Sequence, residues 1–217
     1  MNFPNKNQEI QAIIFDFGGV LLDIDYQKTY DAMSKLLGMD FVPAKLPKET
    51  LQALNDFETG HINVETFIWN IQRLAKKEMP IGQDIIKAWN AMLIGWDVSK
   101  FEFLTQLRQK YKLFLLSNTN ELHIDWVRKD LKKNHHIIDF EDRFFDKVYY
   151  SHIIQKRKPN KDIFEFVLDD ADLDPKHTIF IDDLAENIEA GRCVGLQTYH
   201  HNPNDDLASK LSRLLTL

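Results

Sequence analysis

Apolar residues recur along this chain in two rhythms. One is the short continuous run: Ala12-Ile13-Ile14-Phe15, Leu113-Phe114-Leu115-Leu116, Val148-Tyr149-Tyr150 and Ile179-Phe180-Ile181. A strand covered on both faces by helices carries such runs, because every position is buried. The runs predict strands over residues 10–17, 112–118, 147–151 and 178–183, with a weaker one over 196–199. The second rhythm is helical, as in Phe101, Leu104 and Leu107. It predicts further helices over 122–131, over 160–168 with Pro159 opening it, over 185–194 with Gly195 as C-cap, and over 205–215. Strands alternating with helices imply an α/β fold with a doubly wound parallel sheet.

Residues 26–96 interrupt that alternation. Tyr30, Met33, Leu36 and Leu37 share one helical face, and Leu51, Leu54 and Phe57 share another. After a break at Gly60, Asn63 is placed to cap a helix carrying Phe67, Ile68, Ile71 and Leu74. Beyond Pro80 and Gly82 follow Ile85, Ile86, Trp89, Met92 and Leu93. Four amphipathic helices without an intervening strand read as a separate module. Residues 1–9 read as a polar lead-in, and Asp23-Ile24-Asp25-Tyr26 as an acidic turn that caps the first helix.

Composition narrows the function classes. The chain is 44% hydrophobic and 28% charged over 217 residues, enough for one α/β domain with an insertion. Its net charge of −6, with no polybasic tract, disfavours nucleic acid as the main partner. The single cysteine, Cys193, makes no disulfide framework and is expected to pack in the core. No apolar run reaches the ~20 residues of a membrane span, and the first residues lack a signal-peptide core. A cytoplasmic protein is expected.

The chemistry-bearing residues stand at strand ends: Asp16, then Ser117-Asn118, then Asp182-Asp183. In a parallel sheet these ends share one edge, where open α/β sheets bind ligands. Taken singly, each has a bland reading as a turn or cap residue. Lys158 alone reads as a solvated surface lysine. Adjacent carboxylates after a buried strand are harder to dismiss. Clustered carboxylates repel unless a cation joins them, and an oxygen-rich set suits a hard ion such as Mg²⁺. With a lysine and hydroxyl or amide donors, such a cluster has the parts to bind a phosphoryl group, and a carboxylate can attack it.

The chain resembles the haloacid dehalogenase superfamily of phosphatases. Phe15-Asp16-Phe17-Gly18-Gly19-Val20 is similar to the nucleophile motif, and Leu115-Leu116-Ser117-Asn118-Thr119-Asn120 to the second motif. Lys156-Arg157-Lys158-Pro159 is similar to the lysine motif, and Phe180-Ile181-Asp182-Asp183 with Asn187-Ile188 to the acidic motif. The string of motifs is closest to the branch containing α-D-glucose-1-phosphatase, with the phosphatase domain of bifunctional epoxide hydrolases as a neighbour. The resemblance implies a Rossmann-like core over 1–25 and 97–217 and a helical cap of the C1 type over 26–96. It implies that Asp16 is the nucleophile and binds Mg²⁺ together with the Gly18 carbonyl and Asp183, with Asp182 a further ligand or a supporting group. Ser117 and the Asn118 amide would hold phosphoryl oxygens, and Lys158 would neutralise Asp16 and the phosphate. The expected partner is a small phosphorylated metabolite, with no nucleic acid and no membrane, and the chain is expected to be a monomer or weak dimer.

One position departs from the pattern. Most phosphatases of this superfamily carry a second aspartate, the general acid, two residues after the nucleophile; here Gly18 stands there. Asp23 is a candidate replacement by nearness in sequence alone, and a capping role competes with it. Losing a general acid forfeits ~10²–10⁴ in rate, less with a good leaving group, so sugar phosphates such as glucose 1-phosphate are the expected substrates. Two other readings stay open: a 2-haloacid dehalogenase, whose chemistry needs no metal, and a non-catalytic binding protein of the same fold. In the cap, Glu58-Thr59-Gly60-His61-Ile62 is placed to form a loop over the crevice, with His61 either touching substrate or simply exposed. Trp69, Trp89 and Trp96 are expected to pack in the core. His135-His136 and His200-His201 lack the neighbours of a zinc site.

Overall fold

The computed structural model describes residues 9–76 and 78–215. The lead-in expected over residues 1–9 therefore lies outside the described residues, except for Glu9. Strand β1 (Ala12–Phe15) is the middle of a five-stranded sheet, flanked on one side by β4 (Lys112–Ser117) and then β5 (Lys147–Tyr150). On its other side lie β6 (Thr178–Asp182) and then β7 (Gln197–His200). All four pairings are parallel. The continuous apolar runs have the cause expected of them. Ile13, Phe15, Leu113, Leu115, Ile179 and Ile181 enter one core, under α5 (Ser99–Leu107), α6 (Glu121–Asp130), α7 (Phe140–Phe144) and α11 (Leu207–Leu215). Ala12, Ile14, Phe114, Leu116 and Phe180 enter the opposite core, under α9 (Lys161–Asp170) and α10 (Ala185–Cys193).

Register decides what meets at the sheet's edge. Phe15 lies opposite Leu115 on one side and Ile181 on the other. The next residues along are therefore Asp16, Leu116 and Asp182, with Ser117 and Asp183 one step further. The Asp16 amide continues the ladder, donating to the Ile181 carbonyl at 2.8 Å.

A third apolar core is built by α1 (Tyr26–Leu37), α2 (Lys48–Glu58), α3 (Val64–Gln72) and α4 (Gly82–Trp89). Met33, Leu37, Phe57, Phe67, Ile71 and Ile85 are its buried centre. Asp25 caps α1 by accepting from the Gln27 amide, and Asn63 caps α3 by accepting from the Thr66 amide. The stretch expected to be all helical also holds a strand, β3 (Leu93–Trp96). It pairs antiparallel with β2 (Leu22–Ile24), so two short strands connect this core to the sheet. Three other local expectations change. Asp23 lies in β2 and caps nothing; its carboxylate pairs with Lys100 at 3.0 Å. Pro159 follows a cis peptide bond and precedes α9 by two residues. Cys193 is exposed: the buried residues of α10 are Asn187, Ile188 and Gly191, and a residue two past Gly191 falls on the far side of the helix.

Candidate active site

Lys158 is the centre of the site. Its side chain is 1% exposed, and its ammonium donates to Asp16 Oδ1 at 2.6 Å, Asp182 Oδ2 at 2.7 Å and the Leu116 carbonyl at 2.9 Å. Its three donors are thus all engaged, which is what lets a charged lysine lie buried. The surface-lysine reading is excluded. The backbone of Lys158 is fixed as well, because its amide donates to Asn118 Oδ1 and its carbonyl accepts from Asn118 Nδ2, both at 2.9 Å. Asn118 thereby ties the end of β4 to the lysine loop.

Asp182 is fully buried and its two oxygens are shared out. Oδ1 accepts from the Leu184 amide at 2.8 Å and Oδ2 from Lys158, while Asn187 Nδ2 donates to both at 3.0 Å. Asp183, one residue on, is only partly buried. It stands against Gly19, where φ is +77° and an added Cβ would lie 2.5 Å from Asp183 Oδ2. Glycine at 19 is what permits both this backbone conformation and the approach. Ligand oxygens of Asp16, Asp182 and Asp183 all lie within 4.8 Å of one another.

This crowding is visible in the acidities. Burial, then the Asp182 charge, push Asp16 up to about 7, against the pull of Lys158. Burial and Asp182 also raise Asp183. Lys158 is drawn down by burial but raised overall by Asp16 and Asp182, so it keeps its proton. When all three carboxylates are ionised, the single ammonium leaves two negative charges uncompensated, the charge of one divalent cation.

Ser117 ends β4 buried beside this cluster, and the next amides, of Asn118 and Thr119, belong to the same turn. Thr119 is held by Ser151: its amide donates to Ser151 Oγ at 2.8 Å. Gly18 has no side chain to offer, and the space above it is taken. A Cβ there would meet Ile24 Cδ1 at 2.9 Å.

Two groups face this edge from the helical side: Tyr26, which the sequence did not single out, and Glu58, which opens the 58–62 stretch expected over the crevice but was given no role of its own. Tyr26, the first residue of α1, is 47% exposed, yet the local burial of its phenol, and then the charges of Asp16, Asp183 and Glu58, raise its pKa far above the ordinary range. Glu58, the last residue of α2, pairs with Arg157 at 3.1 Å. Its own carbonyl accepts from Ser151 Oγ at 2.6 Å, and Arg157 Nη1 also donates to Asn55 Oδ1 at 2.6 Å. Gly60 presses on the backbone beyond Ser151: its φ is +69°, and a Cβ there would overlap the His152 carbonyl. His61 is exposed, bonded to Thr59 at 2.7 Å, and lines an outer groove of about 660 Å³ along the seam. Trp89 and Trp96 pack against Phe67 and Phe17, but Trp69 is 55% exposed, under Arg73.

Comparison with known proteins gives a consistent picture. The model of the haloacid dehalogenase-like hydrolases matches residues 10–195. A D-ribitol-5-phosphate phosphatase of Bacteroides thetaiotaomicron is 29% identical over 95% of this chain and 98% of its own. A HAD family enzyme from the same organism, solved with magnesium and inorganic phosphate, is 30% identical, with a TM-score of 0.81 over 93% of this chain and 98% of its own. A HAD-like hydrolase structure from Porphyromonas gingivalis is 31% identical, with a TM-score of 0.83 over 96% and 98%.

Proposed function

The chain belongs to the haloacid dehalogenase-like hydrolases, as an enzyme of their phosphatase kind, and from that premise we propose that it hydrolyses small sugar or sugar-alcohol monophosphates through an acyl phosphate on Asp16. The observation that carries this reading is the buried Lys158 ammonium, bonded at once to Asp16 and Asp182 beside Asp183. A carboxylate that attacks carbon needs no such acidic cluster.

The cofactor is Mg²⁺, and the residues fit it. Three carboxylates with converging oxygens are a hard donor set with a deficit of two positive charges. When bound, the ion supplies positive charge to the phosphoryl group and to the attacking carboxylate. Asp16, Asp183 and the Gly18 carbonyl would hold it, while Asp182, its oxygens engaged by Lys158, Asn187 and the Leu184 amide, orients the lysine. Lys158 fixes Asp16 by Oδ1, leaving Oδ2 to attack phosphorus. Ser117 and the Asn118 amide would receive the phosphoryl oxygens. Residues 26–96 act as the cap that selects the substrate; the docking of Glu58 and Gly60 on 151–157 supports this. Glucose 1-phosphate and ribitol 5-phosphate are the first candidates, the latter because a relative is named for it.

The test is Mg²⁺-dependent phosphate release over a panel of sugar, sugar-alcohol and nucleotide monophosphates. Asp16→Asn is expected to lower turnover by ~10⁴-fold or more, the scale of a lost nucleophile. Undiminished activity in Asp16→Asn would remove the mechanism. Tight binding of a phosphate mimic without any phosphate release would support a non-catalytic protein instead.

A further inference from the structure

Cleaving an alkyl phosphate leaves an alkoxide that needs a proton, and among the described residues of the sheet edge no carboxyl or lysine group is free to give one. Lys158 spends its three donors on Asp16, Asp182 and Leu116. Asp182 is enclosed, Asp16 is the attacking group, and Asp183 belongs to the metal cluster. Gly18 has no side chain, and Ile24 covers it. Asp23 points elsewhere, to Lys100. Tyr26 lies close enough to feel the charges of Asp16 and Asp183, but its raised pKa makes it a poor acid.

Glu58 remains. Four features place it at the seam between the helices and the sheet edge. Its carbonyl is fixed by Ser151 at 2.6 Å. It feels the Lys158 charge, and the Tyr26 phenol feels both the Glu58 and Asp16 charges. Its side chain is 30% exposed, yet Oε2 is shut off from solvent and accepts no hydrogen bond among the described residues, although Arg157 Nη2 lies 3.1 Å away. Oε2 thus has an ion-pair partner but no hydrogen bond, which leaves it able to accept one. Burial raises its pKa despite Arg157 and Lys158, so the protonated form is favoured relative to an ordinary glutamate.

We propose that Glu58, carried by the cap, is the general acid and base of this reaction. This rests on the phosphatase reading above. In the first step an Asp16 oxygen bonds to phosphorus, the bond from phosphorus to the leaving oxygen breaks, and the Glu58 proton moves to that oxygen. In the second, water attacks phosphorus and gives a proton to the Glu58 carboxylate, the bond to Asp16 breaks, and phosphate departs. Both carboxyl groups return to their starting state, and the acid arrives only when α2 docks on residues 151–157.

The experiment compares wild type and Glu58→Gln, with saturating Mg²⁺, on an alkyl ester and an aryl ester: ribitol 5-phosphate and p-nitrophenyl phosphate. The aryl group leaves without a proton. Glu58→Gln is expected to lose ~10²–10³-fold in the single-turnover rate of leaving-group release from the alkyl ester and only a few-fold in that from the aryl ester, while steady-state kcat falls on both because the second step also loses its base. Equal losses of single-turnover release on both esters, or no loss on either, would overturn the assignment while leaving the phosphatase reading intact. A wild type that releases no phosphate from any ester would overturn both.

Discussion

Gly19 shows how much one residue carries. Its positive φ excludes most side chains, and the 2.5 Å between an added Cβ and Asp183 Oδ2 excludes the rest unless Asp183 moves. Gly19→Ala therefore acts twice. The backbone conformation costs about 1 kcal/mol or more, and a displaced Asp183 weakens the metal site. We expect the Mg²⁺ concentration for half-maximal activity to rise ~10–100-fold, with kcat at saturating Mg²⁺ largely retained. A metal titration of activity reads this directly; an unchanged midpoint would mean that Asp183 does not hold the ion. Lys158 carries a different load. Lys158→Met leaves Asp16 and Asp182 buried without their cation, which typically costs ~3–5 kcal/mol. Urea unfolding of the metal-free protein should show that loss, and one under about 1 kcal/mol would mean the pair is better solvated than its burial implies.

At the scale of elements, what was legible in the sequence follows the range of the forces involved. The five sheet strands and the residues at their ends could be read because a doubly covered strand writes its burial into consecutive positions. Asp16, Ser117, Asn118, Asp182 and Asp183 then meet by register alone. The short strands β2 and β3 could not be read: three and four residues are too few for a period, and each is held by a partner about 70 positions away. Tyr26 was hidden for a related reason, since nothing local to α1 says that its end faces the sheet edge; Glu58 was read only as part of a loop over the crevice and proves to be the last residue of α2. Cys193 was misplaced by reading hydropathy without helical phase. The seam between elements makes its own prediction. On α6, His123 stacks on Trp89 of α4 at 5.5 Å, lies 3.1 Å from Asn120 Nδ2 and feels His152. Burial pulls His123 down to about 4 from 6.5. The unfolded chain then takes up a proton that the folded one refuses, so stability is full above about pH 6.5 and is lost as pH falls toward 4. His123→Phe keeps the stack and removes that proton. Its stability is expected to fall less steeply than wild type between pH 6.5 and 4, by up to ~1.4 kcal/mol per pH unit. Parallel curves from urea titrations would show that His123 stays protonated in the fold.

The whole molecule is a sheet with an apolar core on each face and a third core among α1–α4, joined to the sheet by a pair of short strands, with a cluster of like charges at the sheet edge. The sheet edge gathers Asp16, Asp182 and Asp183 around a single ammonium, and their repulsion is felt by the strands β1 and β6 that hold them. A ligand that binds only the folded chain stabilises it in proportion to RT ln(1 + [L]/Kd). At a Mg²⁺ concentration a hundred times its dissociation constant that is ~2.7 kcal/mol. For a chain of this length, each kcal/mol shifts the melting temperature by ~2–4 °C. Chelator-treated protein is therefore expected to melt about 5–10 °C higher once Mg²⁺ is restored, by scanning calorimetry without substrate. Asp183→Asn should lose most of that gain because it removes a ligand, and Cys193→Ser should keep it because that residue lies on the outer face of α10. If activity requires Mg²⁺ but the melting temperature does not move, the ion is bound only together with the phosphoryl group. The carboxylate cluster would then be completed by the substrate rather than by the fold.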